Sequence, residues 1–318
     1  MLTVSDLQYV LNVISDKGYQ KTFNNKAKLF GMLRLRPGQG KIGVKYHYAK
    51  NISGGSFGEG DDLSTSGKQS RKELTFPYKE VYKTIEVSGL SEALSKANGV
   101  KDIKNILKQE IVDASEDLIK EIETQLLGDG TGNSFKDIQG ILYHIAESGN
   151  YADQGLDRST YTWLKSYIND NGGTLRSLTK ALVRDVHNTL VDDRGISYTH
   201  ILTSSTIADA YEDLMGDKVR YMDVKEGDAF VKRLLIKDRP VITIPGYPAN
   251  RMDFVVFDEL EIKYLPQETT DSLGRTNKGM FKVKELSTTK DATLASVICY
   301  LNLVCKNVYH AGSLQDIQ

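Results

Sequence analysis

The stretch from Gly99 to Gly130 constrains the fold of this chain more than any other. Its charged residues are interrupted every three or four positions by an apolar one, at Ile103, Leu107, Ile111, Ala114, Leu118, Ile122 and Leu126. This spacing predicts one amphipathic helix that ends near Gly128, because no glycine or proline interrupts the run earlier. Such a helix is roughly 40 Å long, and its narrow apolar stripe predicts a strut lying across another surface. A coiled coil is the alternative, although the pattern stops at Gly128.

Length and composition place the chain among globular proteins. It has 318 residues, 40% of them hydrophobic and 26% charged, which fits one large domain or two ordinary ones. No run of 18 apolar residues occurs, so no membrane span is predicted, and the N-terminus does not read as a signal peptide. Cys299 and Cys305 lie in a strand-like run that would hold them roughly 20 Å apart, too far for a disulfide. These features predict a protein of the reducing cytoplasm.

The small net charge of -1 conceals an uneven distribution. Residues 1–50 contain nine basic and two acidic side chains, a net charge of +7. The predicted strut has the opposite balance, with four lysines and seven acids between Lys101 and Leu127. A basic end of this kind suits either a polyanion or an acidic neighbouring surface. Charge alone leaves both interpretations open.

The N-terminal part predicts a long hairpin. Leu2 to Ile14 has the pattern of a short amphipathic helix, and Thr22 to Gly40 that of a basic, extended arm. Alternation predicts a strand from Ile42 to Tyr48 and another from Leu74 to Val87. Between them, Asn51 to Arg71 is polar and rich in glycine. Two strands cannot bury both faces, so a hairpin this long needs a neighbouring surface; a loop without a role is the alternative.

The remaining chain predicts a mixed α+β fold. Further helices are predicted at Ser88–Asn98, Ser159–Asp170, Thr174–Val191 and Ser205–Met215. Further strands are predicted at Gly140–Ile145, His200–Thr203, Ala229–Ile236, Pro240–Ile244, Phe254–Phe257, Glu261–Leu265, Met280–Leu286 and Val297–Cys305. Pro266 to Gly279 is predicted to be a polar loop between two of these strands.

No motif for catalysis or cofactor binding emerges. The glycines of GDGTG, residues 128–132, follow a helix end and so predict helix termination, not a phosphate-binding loop. The five histidines have no metal-ligand spacing, and no GxSxG elbow is present. Trp163 is predicted to be a core residue. The excess of tyrosine over phenylalanine, 17 to 9, suits surfaces that are buried on assembly.

The order of these parts resembles the major capsid proteins of tailed bacteriophages, which have the Hong Kong 97 fold. The resemblance rests on a basic arm, a glycine-tipped hairpin, a charged strut ending in LLGDGTGN, and the segments GILYHI, TWLKSYIND, ISYTHILTSSTIADAYEDLM, RPVITIP, FVVFDELEIKYLPQE and ASVICYLNLVCKNVYHAGSLQ. It covers nearly the whole chain as an order of elements. No single motif is specific to the family, and the resemblance depends on their combination.

The resemblance implies a division of the chain. Residues 1–40 would form an N-terminal arm and 41–87 an E-loop hairpin with its supporting strands. A P-domain would comprise residues 88–140, including a spine helix at 99–127, and the return strands 251–305 with a tip loop at 266–279. Residues 141–250 would form the A-domain, which residues 306–318 would rejoin.

The resemblance also implies a function and its contact residues. Subunits would form pentamers and hexamers of an icosahedral shell around packaged double-stranded DNA, located in the virion and assembled in the host cytoplasm. Separate scaffolding, portal and decoration proteins are the implied partners, with no cofactor, metal, membrane or small-molecule substrate. E-loop contacts would come from Ser53, Phe57, Leu63, Lys68 and Arg71, and P-domain tip contacts from Asp271, Arg275, Asn277 and Lys278. The basic arm would face the interior or a neighbour through Lys17, Lys21, Lys26, Lys28, Arg34 and Arg36.

Three alternatives and one modification complete the sequence hypotheses. An encapsulin-like nanocompartment shell is the alternative within the same fold. An unrecognised enzyme and a tail or adaptor protein are alternatives from other classes. Some capsid proteins of this fold cross-link a hairpin lysine to an asparagine in the P-domain tip with the help of a glutamate; Lys68, Asn277 and Glu285 would be the corresponding residues here.

Overall fold

A computed structural model describes residues 27–49, 56–62, 70–88, 100–216, 221–226, 229–270, 276–286 and 292–318. The helices are α1 (Lys28–Met32), α2 (Val100–Leu126), α3 (Ile141–His144), α4 (Lys180–Asn188) and α5 (Ser205–Met215). The strands are β1 (Arg34–Pro37), β2 (Ile42–Ala49), β3 (Ser70–Phe76), β4 (Lys79–Ser88), β5 (Asn150–Tyr151), β6 (Leu156–Asp157), β7 (Tyr167–Asn169), β8 (His200–Thr203), β9 (Tyr221–Glu226), β10 (Ala229–Ile236), β11 (Arg239–Thr243), β12 (Arg251–Val255), β13 (Leu260–Tyr264), β14 (Gln267–Thr270), β15 (Thr276–Gly279), β16 (Phe281–Leu286), β17 (Ala292–Cys305) and β18 (Gly312–Gln315).

The long helix predicted from the sequence is confirmed as α2, with 27 residues. Its apolar stripe is buried from Ile111 through Leu118 and Ile122 to Leu126. The stripe packs against β4 and β17 of the same chain. Helix α2 is therefore a strut across a sheet within the chain, as predicted, and the described part of its apolar stripe, from Ile111 to Leu126, packs within the chain.

Strand β17 organises the first sheet. Leu301 pairs with Lys79 of β4 and with Tyr264 of β13, so β4 and β13 lie on opposite edges of β17. Cys299 likewise pairs with both β4 and β16. Strands β13 and β16 therefore follow one another along the same edge of β17, and the chain between them leaves the sheet as a separate hairpin. Strand β1 extends the sheet by parallel pairing with β13.

A seven-stranded sheet forms the second layer, in the order β7-β18-β12-β8-β11-β10-β9. Helices α4 and α5 cover it and share a hydrophobic core with it that is separate from the core of the first sheet. The predicted serine cap of α5 is confirmed, because the Ser204 hydroxyl accepts a hydrogen bond from the Ile207 N–H. The C-terminal strand β18, which the sequence did not predict, lies inside this sheet.

The segment predicted as an extended arm is ordered where the structure describes it. Helix α1 is buried through Leu29 and Phe30. The carboxylate of Glu123 on α2 accepts hydrogen bonds from the N–H groups of Leu29 and Phe30, both at 2.8 Å. Burial raises the pKa of Glu123, and these hydrogen bonds oppose the rise. The extended prediction was wrong for residues 28–32 because long-range capping stabilises a helix too short to form alone.

The predicted strand from Leu74 to Val87 is two strands with different partners. Strand β3 pairs with β2, and β4 pairs with β17. The break falls at Pro77 and Tyr78. Proline has no N–H to donate to a ladder, which explains why the chain changes sheets at this point.

Two segments in the middle of the chain differ from the sequence predictions. Gly140–Ile145 is not a strand but contains helix α3. A Cβ on Gly140 would lie 2.4 Å from the Leu126 carbonyl oxygen, so the chain docks its glycine onto the end of α2. Ser159–Asp170 is not a helix; it holds a 3-10 turn at Thr162–Leu164 and strand β7. Short apolar runs leave helix and strand unresolved, and burial here comes from contacts distant in sequence.

The predicted helix at Thr174–Val191 starts later, at Lys180. The Thr179 hydroxyl accepts from the Leu182 N–H and so caps α4, which continues as a π-helical turn to Asp193. Before this cap, Arg176 bridges to Ile317 beside the second sheet. Competition from that tertiary pairing shortens the helix.

The strands predicted from His200 onward are confirmed except at Phe254–Phe257, where strand β12 lies at Arg251–Val255 and Phe257 begins a 3-10 turn. Strand β17 begins five residues before its predicted start at Val297. The polar loop at Pro266–Gly279 is instead the hairpin β14–β15, with Thr269 paired to Asn277. Strand β9 was not predicted. The helix predicted at Leu2–Ile14 lies outside the described residues, and so does that at Ser88–Asn98 except for Ser88, which is the last residue of β4.

Candidate assembly interface

The hairpin β2–β3 has one buried face at its root. Ile42 pairs with Phe76 and Val44 with Leu74, and the pairing continues to Ala49 and Ser70. Ile42, Tyr46, Leu74 and Phe76 are buried, whereas the last residues of β2, His47 to Ala49, are exposed. The predicted hairpin is confirmed. Its burial decreases from root to tip, as expected of a ribbon that leaves the body of the subunit.

Hydrogen bonds fix this root to the rest of the chain. The Tyr46 hydroxyl donates to the Cys305 carbonyl at 2.5 Å, and the Asp153 N–H donates to the Thr75 carbonyl at 2.8 Å. The Gln154 side chain accepts from the Thr75 N–H and donates to the Glu73 carbonyl. The hairpin therefore starts from a preorganised base.

Aromatic stacking continues the anchor toward the tip. The Tyr48 ring stacks on Trp163 with centroids 5.1 Å apart, and the Lys72 ammonium lies 4.8 Å from the centre of the Tyr161 ring. Trp163 packs against the core as predicted, although on a 3-10 turn instead of a helix. Both strands of the hairpin are thus held by the segment 151–163.

A buried arginine organises the segment that receives the hairpin. Arg158 is 2% exposed and donates to the carbonyls of Tyr143, Ser148 and Leu164 at 2.6, 3.1 and 3.1 Å. Its guanidinium carbon lies 4.7 Å from the centre of the Tyr151 ring. Burial lowers the pKa of Arg158. Backbone oxygens and aromatic faces, instead of a carboxylate, satisfy this cation.

His144 and Tyr151 complete the buried network. The two side chains share a hydrogen bond of 2.8 Å, and the other ring nitrogen of His144 lies 3.1 Å from the Leu303 carbonyl oxygen. Burial lowers the pKa of His144 to about 3, so the imidazole is neutral at ordinary pH. Nothing in the sequence marks Arg158 or His144 as buried.

The described part of the hairpin tip is residues 56–62, all of them exposed. The Asp61 carboxylate accepts from the Gly58 N–H at 2.6 Å and closes a turn. Of the predicted E-loop contacts, Phe57 lies in this turn with 67% of its surface exposed, and Arg71 lies exposed on β3. Ser53, Leu63 and Lys68 lie outside the described residues.

The hairpin β14–β15 holds the predicted P-domain tip contacts that the structure describes. Lys278 forms an ion pair of 2.5 Å with Glu268, and both side chains are more than half exposed. Asn277 lies in β15, while Asp271 and Arg275 lie outside the described residues. Because Lys68 is also outside them, the cross-link between Lys68 and Asn277 assisted by Glu285 stays a prediction.

The described basic residues of the N-terminal segment contact acidic or polar groups of the same chain. Arg34 forms an ion pair with Asp258 at 2.5 Å, and Arg36 one with Glu261 at 3.0 Å. Lys28 donates to the Thr243 carbonyl at 2.8 Å. Lys17, Lys21 and Lys26 lie outside the described residues.

Glu261 is the centre of this ion-pair group. Burial would raise its pKa, but hydrogen bonds and charge from Lys306 and Lys263 outweigh burial and lower the pKa. An acidic neighbour for the basic segment therefore exists within the subunit itself.

The turn after α2 exposes an aromatic residue that sequence analysis overlooked. Asn133, Ser134 and Phe135 all have left-handed φ, at 48, 57 and 65°. Left-handed conformation costs about 1–2 kcal/mol per non-glycine residue. The Phe135 N–H donates to the Thr131 carbonyl, and the Phe135 carbonyl accepts from the Lys79 ammonium at 2.5 Å. The Phe135 side chain is 71% exposed.

Two further observations concern sites of other kinds. Within the described ranges, no three His, Cys, Asp or Glu side chains are grouped closely enough to hold a metal ion. No helix in the same ranges is long and apolar enough to span a membrane.

Comparison with known proteins identifies the family of the chain. A family model described as SU10 major capsid protein matches residues 53–318. The chain belongs to the SU10 major capsid protein family. No curated protein matches the sequence.

Solved capsids share the architecture. A chain from the capsid asymmetric unit of cyanophage A-1(L) has a TM-score of 0.68 at 21% identity, over 92% of this chain and 93% of that one. A chain from the capsid of an empty GTA particle has a TM-score of 0.61 at 15% identity, over 92% of this chain and 90% of that one. A chain from the holo-SrpI encapsulin complex of Synechococcus elongatus has a TM-score of 0.55 at 12% identity, over 93% of this chain and 89% of that one.

These similarities confirm the predicted fold, which is the Hong Kong 97 type. Membership of the SU10 major capsid protein family confirms the predicted role. The protein is a shell-forming capsid subunit and is located in the virion.

Proposed function

We propose that this capsid protein assembles into pentamers and hexamers of an icosahedral shell around packaged double-stranded DNA, and that the β2–β3 hairpin is the clamp between subunits. The observation that carries the proposal is the contrast along this hairpin. Its root is fixed to the segment 151–163, and its described tip residues are all exposed. A hairpin anchored in this way loses little conformational entropy when its tip binds a neighbouring subunit.

We also propose a division into capsid domains that follows the two sheets. The β17-centred sheet with α2 would be the P-domain, and β14–β15 its tip. The seven-stranded sheet would be the A-domain, completed by β18 from residues 306–318. Because β12 pairs with β8 and β18, we place the return to the P-domain after residue 255 instead of at 251. Strand β4 belongs with the P-domain for the same reason.

The partners follow from the proposed shell. The basic residues outside the described ranges, Lys17, Lys21 and Lys26, would face the packaged DNA non-specifically or an adjacent subunit. Scaffolding, portal and decoration proteins would be separate chains. The protein would have no catalytic role and would need no cofactor or small-molecule substrate.

Electron microscopy of the protein produced alone and with its neighbouring genes tests the assembly. We expect closed shells tens of nanometres across, or rings of capsomers. Deleting Ser53 to Lys72, with a short glycine-serine link from β2 to the remaining residues Glu73–Phe76 of β3, should leave soluble capsomers and no closed shells. Unchanged circular dichroism of those capsomers is the control for folding. Intact shells from the deletion would contradict the clamp.

An encapsulin-like compartment is the second candidate, supported by the similarity to the holo-SrpI encapsulin complex. It differs from the first candidate in the content of the particle. Nuclease-resistant DNA inside purified shells supports the phage head, whereas a packaged protein and no DNA would support the compartment.

A further inference from the structure

The strained turn at Phe135 lies at the root end of the hairpin. Lys79, which donates to the Phe135 carbonyl, follows β3 by three residues, and β3 ends at Phe76 opposite Ile42. The tip turn 56–62 lies beyond the other end of the hairpin, past Ala49 and Ser70. The eight residues of β2 separate the two ends by roughly 25 Å. The paired strands therefore lead the tip away from Phe135 of the same subunit.

The two sites have complementary chemistry. The turn 56–62 exposes Phe57 together with Glu59, Asp61 and Asp62, and it has no basic residue. The other site exposes Phe135 and Lys136 beside the partly buried Lys79. Over the residues that the structure describes, neither Glu59 nor Asp62 has an ion-pair partner, and Lys136 has none either.

Acidic groups near Phe135 are already engaged. The Asp129 carboxylate accepts from the N–H and the hydroxyl of Thr131 at 3.0 and 2.7 Å. The Asp137 carboxylate lies against Gly132, where an added Cβ would come within 2.1 Å of it. Asp137 and Asp153 also face Lys79. Lys136 is thus the cation of this turn that remains available to an incoming acidic group.

We propose that Phe135 and Lys136 receive the hairpin turn 56–62 of a second copy of this chain. Phe57 packs against Phe135, and Glu59 and Asp62 face Lys136. The inference rests on the proposed clamp and names the surface that the clamp grips. It also explains why a large apolar side chain is held outward on a left-handed backbone where glycine would be relaxed.

Disulfide trapping tests the contact directly. The native thiols of Cys299 and Cys305 are fully buried or nearly so, and burial raises the pKa of Cys305 to about 12, so neither competes with an introduced cysteine. Assembled shells of the double variant Phe57→Cys, Phe135→Cys are treated with diamide and run on a denaturing gel without reductant. We expect most chains to migrate as covalent dimers and higher oligomers.

The matched control pairs Phe57→Cys with Leu175→Cys, because Leu175 is also an exposed apolar residue, at 50%. This pair should give at least tenfold less cross-linked product. Closed shells of the Phe57→Cys, Phe135→Cys variant that remain monomeric on the gel would overturn the proposal, as would equal cross-linking in the two pairs.

A second variant separates docking from folding. Phe135→Gly removes the aromatic ring and relieves the left-handed strain, so unassembled subunits should melt at the same temperature or higher. Shell yield should nevertheless fall at least tenfold, while Leu175→Gly should assemble normally. Normal assembly of Phe135→Gly would overturn the proposal.

The clamp and its receiving surface can fail separately. If the deletion of Ser53 to Lys72 still forms closed shells, the proposed clamp itself is wrong. If the deletion blocks assembly but the Phe57→Cys, Phe135→Cys shells do not cross-link, only the assignment of Phe135 is wrong.

Discussion

The two hairpins that leave the β17-centred sheet differ in how they are held. The β2–β3 hairpin is anchored by buried groups, namely the Tyr46 hydroxyl, the Arg158 guanidinium and the His144–Tyr151 pair. The described side chains of β14–β15 instead form the exposed ion pair between Lys278 and Glu268. Removing the partner of a buried polar group lowers the free energy of unfolding far more than removing the partner of an exposed one. The first hairpin is therefore anchored within the folded subunit, whereas we expect the second to gain stability from contact with a neighbouring subunit.

The largest effect should follow from Arg158→Met. Methionine fills similar apolar space but leaves the carbonyls of Tyr143, Ser148 and buried Leu164 without their donor. We expect the free energy of unfolding to fall by about 3 kcal/mol, measured by urea denaturation of unassembled subunits. Arg184→Met, at an exposed position of α4, is the control and should change it by less than about 0.5 kcal/mol. A small loss of free energy of unfolding for Arg158→Met would contradict the contrast between the two hairpins.

The next effect concerns pH. The pKa of His144 is lowered to about 3 in the folded subunit, from about 6.5 when unfolded. The unfolded chain therefore takes up a proton that the folded chain does not, and stability falls as the pH drops from about 6.5 toward 3. One such group contributes a slope approaching about 1.4 kcal/mol per pH unit.

Unfolding curves at pH 7, 6, 5 and 4 measure that slope. His144→Gln should have a shallower dependence than the wild type and than the control His47→Gln, at an exposed position of β2. Equal slopes for the wild type and His144→Gln would show that the imidazole is not held neutral.

A smaller loss is expected for Tyr46→Phe. The change removes only the hydroxyl that donates to the Cys305 carbonyl, so the free energy of unfolding should fall by about 1–2 kcal/mol. Tyr48→Phe keeps the ring that stacks on Trp163 and should change stability by less than about 0.5 kcal/mol. Thermal unfolding of both variants measures the difference. Equal values would place the anchor in the rings instead of the buried hydroxyl.

The smallest effect belongs to the second hairpin. Lys278→Ala removes an ion pair whose side chains are 66% and 60% exposed. We expect unassembled subunits to lose less than about 0.5 kcal/mol. Shells should lose more, because contact with a neighbour removes water from the pair, and the comparison of shell and subunit melting temperatures measures this difference. A loss as large in free subunits as in shells would mean that β14–β15 is anchored within its own chain.

Elements with a strong local pattern were predictable. Helix α2 carries its stripe over seven turns, and helix α5 has both a periodic apolar face and a serine cap, so each was predicted within a residue or two. The segments at 140–145 and 159–170 have short apolar runs without a sustained period. Docking of Gly140 on the end of α2 and of Tyr48 on Trp163 decides their conformation.

The residues of the candidate interface also differ in whether the sequence could predict them. A polar, glycine-rich tip between two alternating strands marked the hairpin and the exposed Phe57. No pattern marked Arg158, because an arginine in a polar segment is ordinarily exposed. Phe135 was equally hidden, since its exposure depends on three successive left-handed residues.

The sequence by itself determined the strut, the hairpin, most strands from His200 onward and, through their combination, the capsid family. These features are local or periodic, so they depend on residues close together in the chain. Only the tertiary structure decided that β3 and β4, on either side of Pro77, pair in different sheets. It also decided which polar groups are buried and that Lys79 lies beside the Phe135 turn. Those outcomes depend on contacts between residues tens to hundreds of positions apart, whose energies no local pattern contains.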